Sequence, residues 1–228
     1  AVYRGEYRKA LTTTDKLIEL WSAENNKTHL AEVYASRARI KQDLLRDSIG
    51  AKTELATAYK YEESADQNFY IALYPYYISV GDFQKARELA VSKLSVIFPQ
   101  LGKIVDAYAD YHARNYGSAI KLFEGLASPG HEDLYLMAKC YAATEQPDRA
   151  LGTVDHLRSS YGSAFGATWR RALADPKSYY LAGSIYEMTG DKKKSIQNYQ
   201  KFLELWQNAD HDIPELRDAK KRLAILIK

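Results

Sequence analysis

The sequence is poor in the residues that cross-link or interrupt a chain, and each shortage excludes a class of protein. Cys140 is the one cysteine among 228 residues, which excludes an intramolecular disulfide framework. Six prolines and 12 glycines leave few points at which a helix must stop. No apolar run approaches the roughly 20 residues of a membrane-spanning helix, and the first residues do not resemble a signal peptide. We expect a folded chain without a membrane segment, with the cytoplasm favoured and the periplasm left open.

The excess of one sign of charge over the other is also small. The formal net charge is +3, from 32 basic and 29 acidic residues, so no nucleic-acid partner is expected. Tyrosine, by contrast, is abundant, with 19 residues against six phenylalanines and three tryptophans. Tyrosine combines a large apolar face with a polar tip, which suits it to interfaces.

One pattern recurs along the chain, and it predicts a helical repeat. A small residue lies four positions after a short polar turn and begins an apolar helical face. These small anchors are Ala10, Ala51, Ala86, Ala119, Ala150 and Ser195. The central anchors are 31 to 35 residues apart, and the outer intervals are 41 and 45 residues. That spacing fits one pair of antiparallel helices, which can approach closely only where the side chain between them is small.

Other positions keep the same phase relative to the anchors. A tyrosine lies nine residues before three of them, at Tyr77, Tyr141 and Tyr186. Mostly apolar residues follow four and seven positions after an anchor, which is one face of a helix. The segments Lys16 to Trp21 and Lys201 to Trp206 are near copies that end eleven residues past their anchors.

These residues resemble the tetratricopeptide repeat (TPR) family. The resemblance is carried by Tyr77 with Gly81-Asp82-Phe83-Gln84-Lys85-Ala86, and by Tyr186-Glu187-Met188-Thr189-Gly190-Asp191. It implies an all-α fold, a right-handed α-solenoid of antiparallel helix pairs. The closing stretch, residues 202–223, is also similar to the TPR regions at the C-terminal ends of large bacterial signalling and regulatory proteins.

The predicted layout is one domain over residues 1–228 with about six repeats. The first repeat is truncated, because Ala10 has no preceding helix, and a parent protein extending upstream is expected. An insertion is predicted near 159–176, with the next helix starting at 176. A capping helix is predicted over 213–227, with Pro214 in its first turn and Asp212 and Glu215 as a capping box.

We find no constellation typical of an enzyme, and no cofactor or metal site is predicted. The five histidines lie on different predicted elements, and none forms a helical pair four residues apart. The cluster Asp210-His211-Asp212 is better explained as a loop and cap. Cys140 lies beside a packing position and is expected to be a buried, inert thiol.

The predicted functional surface is the concave groove that the TPR resemblance implies, formed by the first helix of each pair. Its predicted lining residues are Ile71, Ile78, Tyr108, Tyr111, Tyr135, Lys139, Tyr180, Ser184 and Glu187. Aromatic and aliphatic anchors with a few polar groups suit capture of an extended peptide or a helix. Packing between repeats is an equally good explanation for some of these tyrosines.

Two functions follow from this reading. The first is a protein-interaction scaffold without enzymatic activity that binds a partner segment in the groove, as the C-terminal module of a larger bacterial regulator. The alternative is a small-ligand sensor that controls an upstream signalling or DNA-binding domain. In the second case the insertion, with Trp169, Arg170 and Arg171 as contacts, would close over the groove.

Overall fold

The computed structural model describes residues 1–160 and 167–228, with side chains from residue 172 onward in the second range. Within those ranges every regular element is helical, which confirms the all-α prediction. The α-helices are α1 (Tyr7–Ala23), α2 (Lys27–Arg39), α3 (Ser48–Tyr59), α4 (Gln67–Ser79), α5 (Phe83–Ser92), α6 (Leu101–His112), α7 (Tyr116–Glu124), α8 (His131–Ala143), α9 (Pro147–Ser159), α10 (Ala167–Met188), α11 (Lys192–Leu205) and α12 (Pro214–Leu226). Two 3-10 turns, Val2–Arg4 and Glu62–Ser64, and a π-helical turn, Ile40–Leu44, complete the set.

Two helix bounds shape the connections between elements, the end of α5 and the start of α10. Helix α5 ends at Ser92, and the chain then turns around Leu94. Leu94 is fully buried, and its carbonyl accepts hydrogen bonds from the amides of Ile97 and Phe98, at 3.1 and 2.8 Å. Helix α10 begins at Ala167, nine residues before the predicted start, and continues through Pro176. The missing amide of a proline costs one intrahelical bond, which this helix tolerates.

The end of the chain forms the predicted last helix with a different cap. Pro214 lies in the first turn of α12 as predicted, but the N-cap residue is Ile213, and its side chain makes no capping bond. The capping box predicted from Asp212 and Glu215 is therefore wrong. The Glu215 carboxylate instead pairs with Lys177 of α10 at 2.8 Å.

The small anchors are buried, as the repeat pattern requires. Five of the six have no exposed surface, and Ala10 keeps 8%. At Ser195 the close approach is visible in detail, because its hydroxyl donates to the Gly183 carbonyl of the preceding helix at 2.8 Å. A Cβ atom on Gly183 would lie only 2.8 Å from the Tyr199 ring. The sequence motif thus marks places where two backbones meet.

One turn geometry joins the helices again and again. The residue before the N-cap has a positive φ at Asn25, Arg46, Gly81, Arg114, Glu145 and Gly190. After three of these turns the N-cap amide donates back to the carbonyl of the phase-matched tyrosine, at 2.9 Å each, in Tyr77, Tyr141 and Tyr186. This 6→1 hydrogen bond is the signature of a Schellman motif. The two Gly-Asp turns, in the segments that resemble the TPR pattern, have φ +80° at both glycines.

The described residues group into two compact units. The N-terminal unit comprises residues 7–113 and the C-terminal unit comprises residues 1–6 with 114–228. In the N-terminal unit α2 packs on α3 and on α4, and α4 packs on α5. In the C-terminal unit α8 packs on α9 and α10, and α10 packs on α11. Consecutive helices thus pair within each unit, while a single continuous right-handed superhelix over 1–228 stays a prediction.

The first six residues belong to the C-terminal unit. The Trp206 indole N–H donates to the Tyr3 carbonyl at 3.0 Å, and the Asp210 amide donates to the Gly5 carbonyl at 3.0 Å. Gly5 adopts φ +70° and is buried against Ala209, Trp206 and Ile213. This short segment therefore completes the packing at the end of α11.

Candidate partner-binding surface

The predicted groove residues of the N-terminal unit divide into core and partly exposed positions. Ile78 and Tyr108 are 8% and 9% exposed and belong to the core. Ile71 on α4 and Tyr111 on α6 are half-buried. The Tyr111 ring lies against His112 with ring centroids 5.6 Å apart. Of the predicted groove residues in this unit, the half-buried pair Ile71 and Tyr111 offers the most side-chain surface to a partner.

In the C-terminal unit, Tyr135 and Lys139 are brought together. Both lie on α8 one helical turn apart, and the Lys139 ammonium is 5.8 Å from the centre of the Tyr135 ring. Both side chains are half-buried, and Tyr135 also contacts the cluster of Leu134, Leu157 and Ala174. An apolar ring edged by a cation can hold an apolar side chain next to an acidic one.

Tyr180, Ser184 and Glu187 lie on α10, and two of them are bound by α12. The Tyr180 hydroxyl donates to Asp218 at 2.7 Å. Glu187 accepts hydrogen bonds from the Tyr199 hydroxyl at 2.9 Å and from Arg222 at 3.0 Å. The Ser184 hydroxyl donates to the carbonyl of Leu181 within its own helix.

These bonds shift the titration of the groups involved. Burial, and then the hydrogen bond to Asp218, raise the pKa of Tyr180 well above its usual range. Burial alone would raise the pKa of Asp218, but the bonds from Tyr180 and Arg222 outweigh it and lower that pKa. The network therefore favours a neutral phenol, an ionised carboxylate and a charged guanidinium. Its chemistry suits attachment of α12 to α10.

Two of the three phase-matched tyrosines, Tyr141 and Tyr186, pack under cations. Arg149, directly before the Ala150 anchor, lies 4.3 Å from the Tyr141 ring centre and also donates to its hydroxyl. Lys194, directly before Ser195, lies 5.2 Å from the Tyr186 ring centre. Burial, followed by the hydrogen bond to Glu124, raises the pKa of Tyr141 to about 12. These tyrosines fill the space beside the turns, as the sequence pattern indicates.

The side chains of the predicted insertion contacts Trp169, Arg170 and Arg171 fall outside the described part of the chain. Their backbone lies in the first turns of α10. Residues 161–166, in the middle of the predicted insertion, are likewise outside the described ranges.

Several polar residues that matter to the C-terminal unit were not identified from the sequence. Asp218 and Arg222 are four residues apart on α12, with Nε and Oδ2 2.6 Å apart, and that helical spacing was an available signal. Arg158, by contrast, is joined to Ser178 and Asn198 from two other helices. No local pattern in the sequence predicts these contacts of Arg158.

Other chemistry is limited in the described part of the chain. No group of three or more His, Cys, Asp or Glu side chains there could hold a metal ion. Burial raises the pKa of the Cys140 thiol to about 11, so its reactive thiolate is scarce near neutral pH. None of the described helices is both long and apolar enough to cross a bilayer.

The comparisons with known proteins returned no relatives. No family model matches the chain, and no curated protein and no solved structure matches it either.

Proposed function

We propose that this chain is a TPR-like helical-repeat protein that binds a segment of a partner protein. The fold part of the proposal is supported by the recurrence of one turn geometry with a buried small anchor four residues after the N-cap. Stacked helix pairs of this kind present side chains of the first helices along a surface, which is how repeat proteins bind.

The observation that carries the binding proposal is the pair Tyr135 and Lys139. A partly exposed aromatic ring and a partly exposed cation share one helix face in the C-terminal unit. We expect a partner segment with an apolar side chain followed by an acidic one, because those groups complement the ring and the ammonium.

The hydrogen bond from Tyr180 to Asp218 makes Tyr180 unsuitable for a binding test, although it is a predicted groove residue. Alanine at position 180 would remove a bond to α12 together with any contact to a partner. Tyr135→Ala combined with Lys139→Glu alters the proposed surface and leaves the α10–α12 bonds in place. The exposed Lys193→Glu makes the same charge change elsewhere on the C-terminal unit.

The experiment is affinity capture followed by titration of the captured partner. We expect the wild-type chain and Lys193→Glu to bind the same partner with the same Kd. The double variant, with an unchanged circular dichroism spectrum, should bind about 30-fold more weakly or not at all, as for loss of an aromatic hot spot. Equal affinity of all three folded proteins would refute the role of Tyr135 and Lys139.

A further inference from the structure

A guanidinium in the C-terminal unit is surrounded by neutral groups. Arg158 of α9 is half-buried, and its Cζ lies 3.8 Å from the centre of the Tyr179 ring. Its Nε donates to the Ser178 hydroxyl at 3.0 Å, and its Nη2 donates to the Asn198 side-chain carbonyl at 3.1 Å. Each contact holds the guanidinium in place without neutralising its charge.

Arginines with little exposed surface usually have a carboxylate partner, and Arg37 and Arg39 are examples in this chain. Arg37 pairs with Glu54 at 3.0 Å, and Arg39 pairs with Asp43 at 3.1 Å. In the part of the chain that the structure describes, Arg158 forms no ion pair with a carboxylate within 4.0 Å. Residues 161–171, which the structure describes incompletely, contain no aspartate or glutamate. The sequence therefore excludes a counter-ion from that stretch.

The pKa of Arg158 also indicates a cation whose charge is not fully compensated. Burial lowers the pKa of this guanidinium, although Tyr179, Asp155, Tyr186 and Asp175 partly oppose the effect. The two aspartates act from beyond ion-pair distance. A cation that remains undercompensated in this way gains from any anion that reaches it.

One edge of the guanidinium remains available. Nη1 makes no hydrogen bond to the described residues, and it is not among their fully buried, unpartnered polar atoms. The neighbours of Arg158 are themselves fixed, since Ser178 donates to the Asp175 carbonyl and the Asn198 amide donates to the Lys194 carbonyl. Their oxygens thus face the guanidinium in one orientation. A donor group held rigid before its ligand arrives binds with a smaller entropy cost.

We propose that Arg158, oriented by Tyr179, Ser178 and Asn198, is the binding group of an oxyanion site. Its ligand is a phosphate or carboxylate group, either a free anion or an acidic group of a larger ligand, because guanidinium donors match the oxygens of both. The inference uses none of the residues assigned to partner binding and does not rest on that function.

The test introduces a carboxylate counter-ion for Arg158 by a substitution in the protein. In Asn198→Asp, a carboxylate replaces the amide oxygen that lies 3.1 Å from Nη2. Thermal unfolding of the full chain is followed during titration with inorganic phosphate, sodium acetate and the blocked tripeptide of three glutamates. Sodium chloride keeps the ionic strength constant and is the reference. Arg158→Met removes the guanidinium, and exposed Asn208→Asp adds the same charge away from the site.

We expect at least one oxyanion to raise the Tm of the wild type and of Asn208→Asp above the chloride reference, by mass action. A response to phosphate or acetate alone identifies a free anion, and a response to the tripeptide alone identifies an acidic group on a larger ligand. Asn198→Asp should have a higher Tm than the wild type in chloride, because its carboxylate pairs with the guanidinium. Its binding of the oxyanion should be at least tenfold weaker, which corresponds to the free energy of about one charged hydrogen bond. Arg158→Met should lose the response.

Two results would overturn the proposal. The first is a wild-type Tm that follows ionic strength alone, whichever anion is present. The second is an oxyanion response that persists in both Arg158→Met and Asn198→Asp, because the anion would then bind elsewhere.

Discussion

Seven of the described residues take a left-handed backbone conformation two positions before the first residue of an α-helix, yet only Gly5, Gly81 and Gly190 are glycines. The other four, Asn25, Arg46, Arg114 and Glu145, adopt φ between 51° and 62°. Residues with a Cβ atom pay about 1–2 kcal/mol in that region. The turn is thus imposed by the helices on both sides even where the local residue disfavours it.

Replacing one of these residues with glycine should stabilise the fold. We expect Glu145→Gly to raise the free energy of unfolding by about 0.5–1 kcal/mol, because relief of the strained φ exceeds the added chain entropy. Urea unfolding followed by circular dichroism measures the change. Glu145→Ala is the control, and an equal gain from it would assign the effect to loss of the glutamate side chain.

The reverse substitution at Gly190 isolates the backbone contribution. A Cβ atom there would meet no atom within 4 Å, so Gly190→Ala introduces no clash. The same unfolding measurement should show a loss of about 1–2 kcal/mol from the positive φ alone. An unchanged stability would mean that the turn relaxes without cost.

At the scale of elements, α12 is attached as much by polar bonds as by apolar packing. Within the helix only Leu216 and Ala219 are buried, while Asp218 and Arg222 bind Tyr180 and Glu187 of α10. A helix held in this way depends on the charge of its side chains.

The attachment of α12 should therefore depend on pH through Asp218. Its folded-state pKa is lowered, so its stabilising contribution is complete above the unfolded pKa of about 4 and is lost as pH falls through the lower folded value. We expect Asp218→Asn to have a lower Tm than the wild type at pH 6–7, with the difference shrinking below pH 4. Thermal melts across this range test it, with the exposed Asp148→Asn as control. A difference that is constant with pH would contradict the role of the carboxylate.

How far the sequence predicts an element depends on whether the signal is local. Helix positions and buried anchors follow from spacing, because a small residue and a turn can be recognised in a few residues. The burial of equivalent residues does not follow from spacing. The near-identical segments Lys16 to Trp21 and Lys201 to Trp206 show this. Trp206 is 1% exposed and bonded to Tyr3, whereas Trp21 is half-buried beside His29, with ring centroids 4.8 Å apart.

The prediction of groove residues has the same limit, because spacing along the chain does not reveal contacts between distant helices. Phase selects Tyr135 and Tyr180 as equivalent, but only the structure shows that Tyr180 bonds to a helix 38 residues later. Arg158 was missed because its partners come from two other helices. Contacts between elements distant in sequence leave no periodic trace.

At the scale of the whole molecule, the C-terminal unit is assembled from both ends of the chain. Residues 1–6 contribute the Tyr3 and Gly5 carbonyls that accept bonds from Trp206 and Asp210. Gly5 is well suited to its place, since an added Cβ would lie 2.6 Å from the Cβ of Ala209.

Gly5→Ala should therefore release the first residues from the C-terminal unit. Positive φ and the contact with Ala209 together should cost roughly 2–4 kcal/mol, unless the segment detaches first. Either way the Trp206 indole loses its acceptor and becomes more exposed, which a red shift of tryptophan fluorescence and faster quenching would report. Gly152→Ala, where nothing lies within 4 Å, is the matched control and should leave the fluorescence unchanged.

The bond between Trp206 and Tyr3 spans 203 residues, and this separation has a consequence for synthesis. The first six residues leave the ribosome long before the helix they contact exists. At about 5–20 residues per second, they wait roughly 10–40 s for Trp206 to be made. Residues 7–113, which form their unit from one continuous stretch, can fold during that delay. The C-terminal unit closes after that, so a nascent chain stalled before α11 would carry a folded first unit and residues 1–6 without their partner helix.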